Sequence, residues 1–143
     1  MILKVGVGIL LCLGYISAWP KGSRRLKNQP CIAMWPRHRN FLPQNTTSPF
    51  TIKVSTPKIR QGEVLTVFIE DPSGKNMLKG FTLEAKDLKP SNFTVGSFLK
   101  APDVKVVECK WNSSAVTQNS SKPRKRVELK WKAPSDLLGN IQF

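Results

Sequence analysis

A chain of 143 residues has room for one domain at most. One histidine and three cysteines lack the paired short spacings of a zinc site, and nine acidic residues form no pair patterned as general acid and base. Against those nine stand 23 lysines and arginines, and the resulting net charge of +14 creates a field that attracts polyanions. The N-terminus begins with the positively charged Met1–Lys4, runs through an almost wholly apolar Val5–Ile16, and ends in the small residues Ser17 and Ala18. That is the pattern of a secretory signal peptide over residues 1–18, with cleavage after Ala18 and a mature domain over 19–143. Its uncharged run, Val5 to Trp19, is shorter than the roughly 18–20 residues a spanning helix needs. No other segment approaches that length, so the chain is expected to be secreted, with no membrane span. Outside the cell, anionic glycans and microbial surface polymers are the expected partners, rather than nucleic acid.

Export also governs the cysteines. Cys12 lies in the signal region, which leaves Cys31 and Cys109, and an even number in an oxidising compartment predicts a single disulfide. On the chain-entropy model, so long a loop stabilises the fold by roughly 4–5 kcal/mol. Four sequons, at Asn45, Asn92, Asn112 and Asn119, all fall in polar connecting stretches and predict a surface glycoprotein.

In chain order, Trp19–Asn40 reads as an irregular basic arm carrying Lys21, Arg24, Arg25, Lys27, Arg37 and Arg39, tied down at Cys31. Met34-Trp35-Pro36 is its apolar island, expected against the core, and Phe41–Pro49 is a loop. Phe50–Ser55 alternates, with Phe50, Ile52 and Val54 predicted inward. Pro57–Gly62 is a turn. Glu63–Glu70 is apolar at nearly every position after its first, as in a central strand covered on both faces. Asp71–Asn76 is a strong turn signal.

Lys79–Lys86 has period two, with Phe81, Leu83 and Ala85 on a core side and Thr82, Glu84 and Lys86 in water. With the short apolar Val95–Leu99, it reads as two strands of an antiparallel sheet joined by a solvated connection at Asp87–Asn92. Gly80 and Gly96 adjoin bulky aromatics, where a missing side chain allows a bend or close backbone approach. Val104–Cys109 and Val127–Trp131 are further strands, with Trp131 in the core and Trp111 over the disulfide. Asn140–Phe143 begins another strand, at which the sequence stops, an end that reads as a fragment or a truncated product. Six or seven short strands between turns predict an all-β antiparallel β-sandwich, truncated at the last strand.

Catalytic signatures are absent. There is no Gly-x-Ser-x-Gly elbow and no phosphate-binding glycine loop before a helix, so neither enzymatic activity nor a cofactor is expected. His38, between Arg37 and Arg39, reads as a structural histidine rather than a metal ligand. The densest cationic run is Lys122-Pro123-Arg124-Lys125-Arg126, either a heparin-type patch or a solvated loop. Lys122, Arg124, Lys125 and Arg126, with Arg24, Arg25, Lys27, Arg37 and Arg39 of the arm, are the anion-binding candidates.

The order of motifs resembles the reeler domain, the N-terminal module of reelin. Trp19-Pro20-Lys21-Gly22 is similar to its aromatic-Pro-x-Gly opening, and Cys31-Ile32-Ala33-Met34-Trp35-Pro36-Arg37-His38 to its Cys-x-x-Met-x-Pro-x-His motif. Ser48–Ile52 resembles its first core strand, and Gln61-Gly62-Glu63 its Pro-Gly turn with Gln61 in place of proline. Lys79–Ala85 and Val95–Phe98 resemble its Lys-Gly-Phe-x-x-x-Ala and Val-Gly-x-Phe segments. Cys109, Ser114–Thr117 and Trp131–Pro134 complete the pattern. The resemblance implies an immunoglobulin-like β-sandwich, a Cys31–Cys109 bridge and a non-enzymatic adhesion or binding module. Where the family often carries histidine after Ala-Val-Thr this chain has Gln118, so a metal or pH role for a pair with His38 is not expected. The family's settings are matrix proteins, small insect defence proteins, and ectodomains of ferric-chelate-reductase-like or reelin-domain-containing membrane proteins. A secreted matrix or defence module is therefore the leading expectation, and an N-terminal ectodomain fragment of such a membrane protein the alternative.

Overall fold

The computed structural model describes Cys31 and residues 45–88, 93–109 and 114–143. Among these residues there is no helix, and the nine strands are β1 (Thr51–Val54), β2 (Val64–Glu70), β3 (Thr82–Glu84), β4 (Lys86–Asp87), β5 (Ser97–Phe98), β6 (Val104–Glu108), β7 (Ser114–Gln118), β8 (Arg126–Lys132) and β9 (Ile141–Gln142). All pair antiparallel, in a four-stranded sheet of order β1-β2-β8-β5, a three-stranded sheet β3-β7-β6 and a short β4-β9 ribbon. Alternation on β2 and β8 puts Leu65, Val67 and Ile69 opposite Trp131, Leu129 and Val127 on one face. These six meet Leu83 of β3 and Val116 of β7 in a single apolar core. The result is the expected all-β sandwich.

Trp131 is its centre, fully buried as predicted. Its indole Nε1 donates to Val95 O at 3.1 Å, so burial leaves no orphaned donor. The Phe143 ring stands edge-on to it at 5.2 Å. Gly96 lies against the same indole with φ +66°, and a Cβ there would meet Lys132 O at 2.6 Å and run into the Trp131 ring. The close approach expected beside the aromatics is met here by a residue that must be glycine.

Four expectations are corrected, and one strand was not foreseen. Residues 79–99 do not form a strand pair within one sheet: β3 pairs with β7, whereas β5 pairs with β8 across the sandwich. The two segments touch through the Lys86–Thr94 bridge, with Val95 N donating to Ala85 O at 2.9 Å and Asp87 N to Phe93 O at 3.2 Å. Glu84, expected in water, is 4 % exposed, and the Lys86 ammonium lies 2.7 Å from its Oε1. The reason is that the face of the three-stranded sheet turned away from the core is itself covered: Ala115, Val107 and Thr117 share that face and are buried.

Ile52 and Val54, expected inward, are 46 % and 37 % exposed. They sit opposite buried Ile69 and Val67, so they do face the core side, but β1 is the edge strand and is not covered there. β2 is central, between β1 and β8, yet only its Leu65–Val67–Ile69 face is fully buried. Finally β7, the middle strand of its sheet, was not anticipated as a strand at all.

Candidate binding surface

The basic run divides by the roles its backbone assigns. Arg124 pairs with Leu78 in an isolated bridge, with backbone bonds of 2.7 and 2.9 Å in the two directions. Its guanidinium donates to the carbonyls of Ser120 and Asp103, closing the loop that leads into β8. Arg126, the first residue of β8, has its guanidinium 4.0 Å over the Phe68 ring and 3.6 Å from Glu70. Both arginines are therefore largely occupied in holding the sheet. Lys122 and Lys125 are exposed, and they are the half of the run free to meet a ligand. Arg24, Arg25, Lys27, Arg37, Arg39 and His38 lie outside the described residues, as do Trp35 and Trp111.

A second set of cations was missed by counting density along the chain. Strand alternation turns Arg126, Glu128, Lys130 and Lys132 of β8 outward, away from Trp131 and Leu129. Across the same outer face lie Lys53 of β1, opposite Phe68, and exposed Val64 of β2, opposite Lys132. Glu70 is shared by Lys53, at 3.0 Å, and Arg126. Among the described residues Lys130 and Lys132 make no ion pair, and together they extend the cationic surface from the loop along the flat face of the sheet. The signal was present in Val127–Lys132: an alternating strand with an apolar core face puts every second residue, here mostly lysine, into water.

The Cys31–Cys109 disulfide is formed, with Cα atoms 5.7 Å apart and Cys31 buried. Of the sequon asparagines, Asn45 and Asn119 are exposed, whereas Asn92 and Asn112 lie outside the described residues. Gln118 is a structural residue: its Oε1 accepts from Phe81 N and Thr117 Oγ1, each at 2.9 Å, while its amide nitrogen covers Gly80. Among the described residues no three His, Cys, Asp or Glu side chains come together as a metal site.

Asp71 heads the turn after β2, where its carboxylate accepts from Ser73 Oγ, Ser73 N, Asn76 N and Asn76 Nδ2. The Ser73 hydroxyl first, and the N–H groups after it, hold the acid well below the usual carboxylate range. A shallow depression of about 540 Å³ between the two chain segments Ile59–Gln61 and Leu137–Gly139 is open to solvent and holds no buried polar group. Among the described residues no helix is long and apolar enough to cross a membrane.

The family profile of the Reeler domain matches residues 29–143. The chain is 28% identical over 137 residues to a Drosophila melanogaster protein named "Putative ferric-chelate reductase 1 homolog", a match covering 90% of this chain and 21% of that protein. A Danio rerio protein named "Putative ferric-chelate reductase 1" is also 28% identical, over 94% of this chain and 23% of its own length. The chain thus spans less than a quarter of these relatives. "Putative defense protein 3" of Antheraea mylitta is 27% identical over 96% of this chain and 80% of its own length. Among solved structures, the human F-spondin reeler domain superposes with a TM-score of 0.52 at 20% identity, covering 78% of this chain and 75% of that one, a likeness of fold.

Proposed function

Because the chain belongs to the reeler domain family, we propose that it works as an exported, non-enzymatic binding module that holds anionic glycans or microbial surface polymers on its basic surface. The observation that carries this reading is the charge excess, +14 over 143 residues, together with outward lysines that make no ion pair among the described residues. Lys122 and Lys125 supply its loop edge, Lys130 and Lys132 its flat face. A lysine on a rigid strand is a fixed point charge in register with its neighbours, and a polyanion gains by spanning several at once. The exposed Asn45 and Asn119 would carry N-glycans on an exported chain; glycosidase treatment of secreted protein, followed by mass measurement, tests both sites. The binding test is chromatography on immobilised heparin. We expect retention that weakens steeply as salt rises, and passage without delay at low salt would remove the proposal.

The relatives' lengths favour a second reading. A match to about a fifth of a reductase-named protein suits a chain that serves as the N-terminal extracellular module of a longer membrane protein. Sequencing the complete transcript decides between them: a stop codon after Phe143 excludes the longer protein, and downstream apolar spans establish it.

A further inference from the structure

We propose that β1 is a docking edge that takes an extended, acidic strand of a partner protein by strand addition. Among the described residues β1 is the outer strand of the four-stranded sheet, with β2 as its one neighbour. The phase of their ladder is set by the bond from Ser55 N to Thr66 O at 2.9 Å. Bonded and open pairs alternate along an antiparallel ladder, so Lys53–Phe68 and Thr51–Glu70 are the bonded pairs. Ile52 and Val54, between them, turn their N–H and C=O groups away from β2 and into the free edge. The bond from Ala133 N to Glu63 O gives β2 the complementary phase on its other side, where Leu65, Val67 and Ile69 face β8. Two donors and two acceptors therefore stand in line along β1, the template that an added strand completes.

The same two residues present exposed apolar side chains on the uncovered inner face. Natural edges are usually protected by proline, by a bulge, or by a charge projecting past the edge. β1 contains no proline, and it pairs one-to-one with β2 over Thr51–Val54 without a bulge. Its charged residue, Lys53, is drawn back along the sheet to Glu70 at 3.0 Å rather than out across the edge.

Charge selects the partner. Glu70 is the acid opposite β1, and it is already shared by Lys53 and Arg126; with Glu128 counted, the outer face of the sheet carries four cations, Lys53, Arg126, Lys130 and Lys132, against two acids. A second copy would bring another +14 and another Lys53 to a contact of four residues. An acidic segment with small apolar residues at alternate positions instead covers Ile52 and Val54 on one face and meets the basic surface on the other. This inference does not rest on the polyanion reading, since it uses backbone and apolar groups of β1.

The test is titration of the isotope-labelled full chain with a short synthetic peptide alternating glutamate and valine, followed by amide NMR. We expect saturable shifts centred on Ile52 and Val54, and none from the peptide in which lysine replaces glutamate. Val54→Pro removes an edge donor that no bond among the described residues uses, so it should weaken binding about tenfold or more while melting temperature and heparin retention stay unchanged. Ile52→Glu, which leaves the backbone intact, should do the same by repelling the acidic strand. The proposal is overturned by an absence of shifts, by shifts that map to β8, by equal binding of the lysine peptide, or by Val54→Pro and Ile52→Glu binding as the native chain does. A concentration-dependent dimer abolished by Ile52→Glu would make a second copy the occupant and overturn the acidic partner.

Discussion

Gly96 is held in the left-handed region with Trp131 against its Cα, so Gly96→Ala meets two costs together: backbone strain and overpacking of a fully buried indole. We expect a loss of about 2–4 kcal/mol in denaturant unfolding. By contrast, Gly74→Ala, at φ +68° but with open space around it, should lose only the backbone part, about 1–2 kcal/mol. Asp71 makes a pH prediction. Its folded carboxyl titrates below its unfolded value, so its stabilisation is complete above the unfolded pKa of about 4 and is lost as pH falls through the folded value. Melting temperature measured down an acid series should fall more gently in Asp71→Asn than in the native chain, because the variant has no proton to take up at the turn.

At the level of elements, the hinge from β3 to β4 is held by a buried ion pair. Glu84 lies on the covered face of the three-stranded sheet with the Lys86 ammonium of β4 beside it, and removing Lys86 strands the Glu84 charge away from water. Lys86→Met should destabilise by about 3 kcal/mol, whereas Glu84→Leu combined with Lys86→Met should sit much closer to the native value, a double-mutant cycle measurable by urea titration. The same stretch marks how far sequence could reach. An apolar run identified β2 without telling its dry face from its wet one, whereas alternation identified β8 and placed Trp131 inside, because a strand's own side chains can encode which face is dry. It could not tell which sheet β3 and β5 would join, since pairing depends on residues far away in the chain. Nor could it anticipate that Glu84 would be covered, because what covers that face lies outside β3. Ser114–Gln118 escaped notice as a strand because small and hydroxyl side chains carry no strong period, although they fit the crowded middle of a sheet. On the binding surface, density along the chain led to the 122–126 run, whereas folding occupies Arg124 and Arg126 and brings Lys130 and Lys132 into play.

Over the whole molecule, charge and fold are separable. The core is a continuous apolar cluster, and Lys122, Lys125, Lys130 and Lys132 are exposed outside it. Lys130→Glu with Lys132→Glu, and separately Lys122→Glu with Lys125→Glu, should each lower the salt concentration of elution from heparin while leaving melting temperature nearly unchanged, since exposed charges contribute little to stability. If both surfaces contact one polymer, the four changes together should reduce retention more than either pair. The β2–β8 seam has a consequence of a different kind, in the kinetics of folding. It joins residues 64–70 to residues 126–132, so half the core waits on the meeting of distant segments, a topology that folds in milliseconds to seconds rather than microseconds. Until that encounter the Leu65–Val67–Ile69 stripe stands open to other chains. Its lifetime in that state, more than the stability of the finished sandwich, should set the protein concentration at which refolding gives way to aggregation.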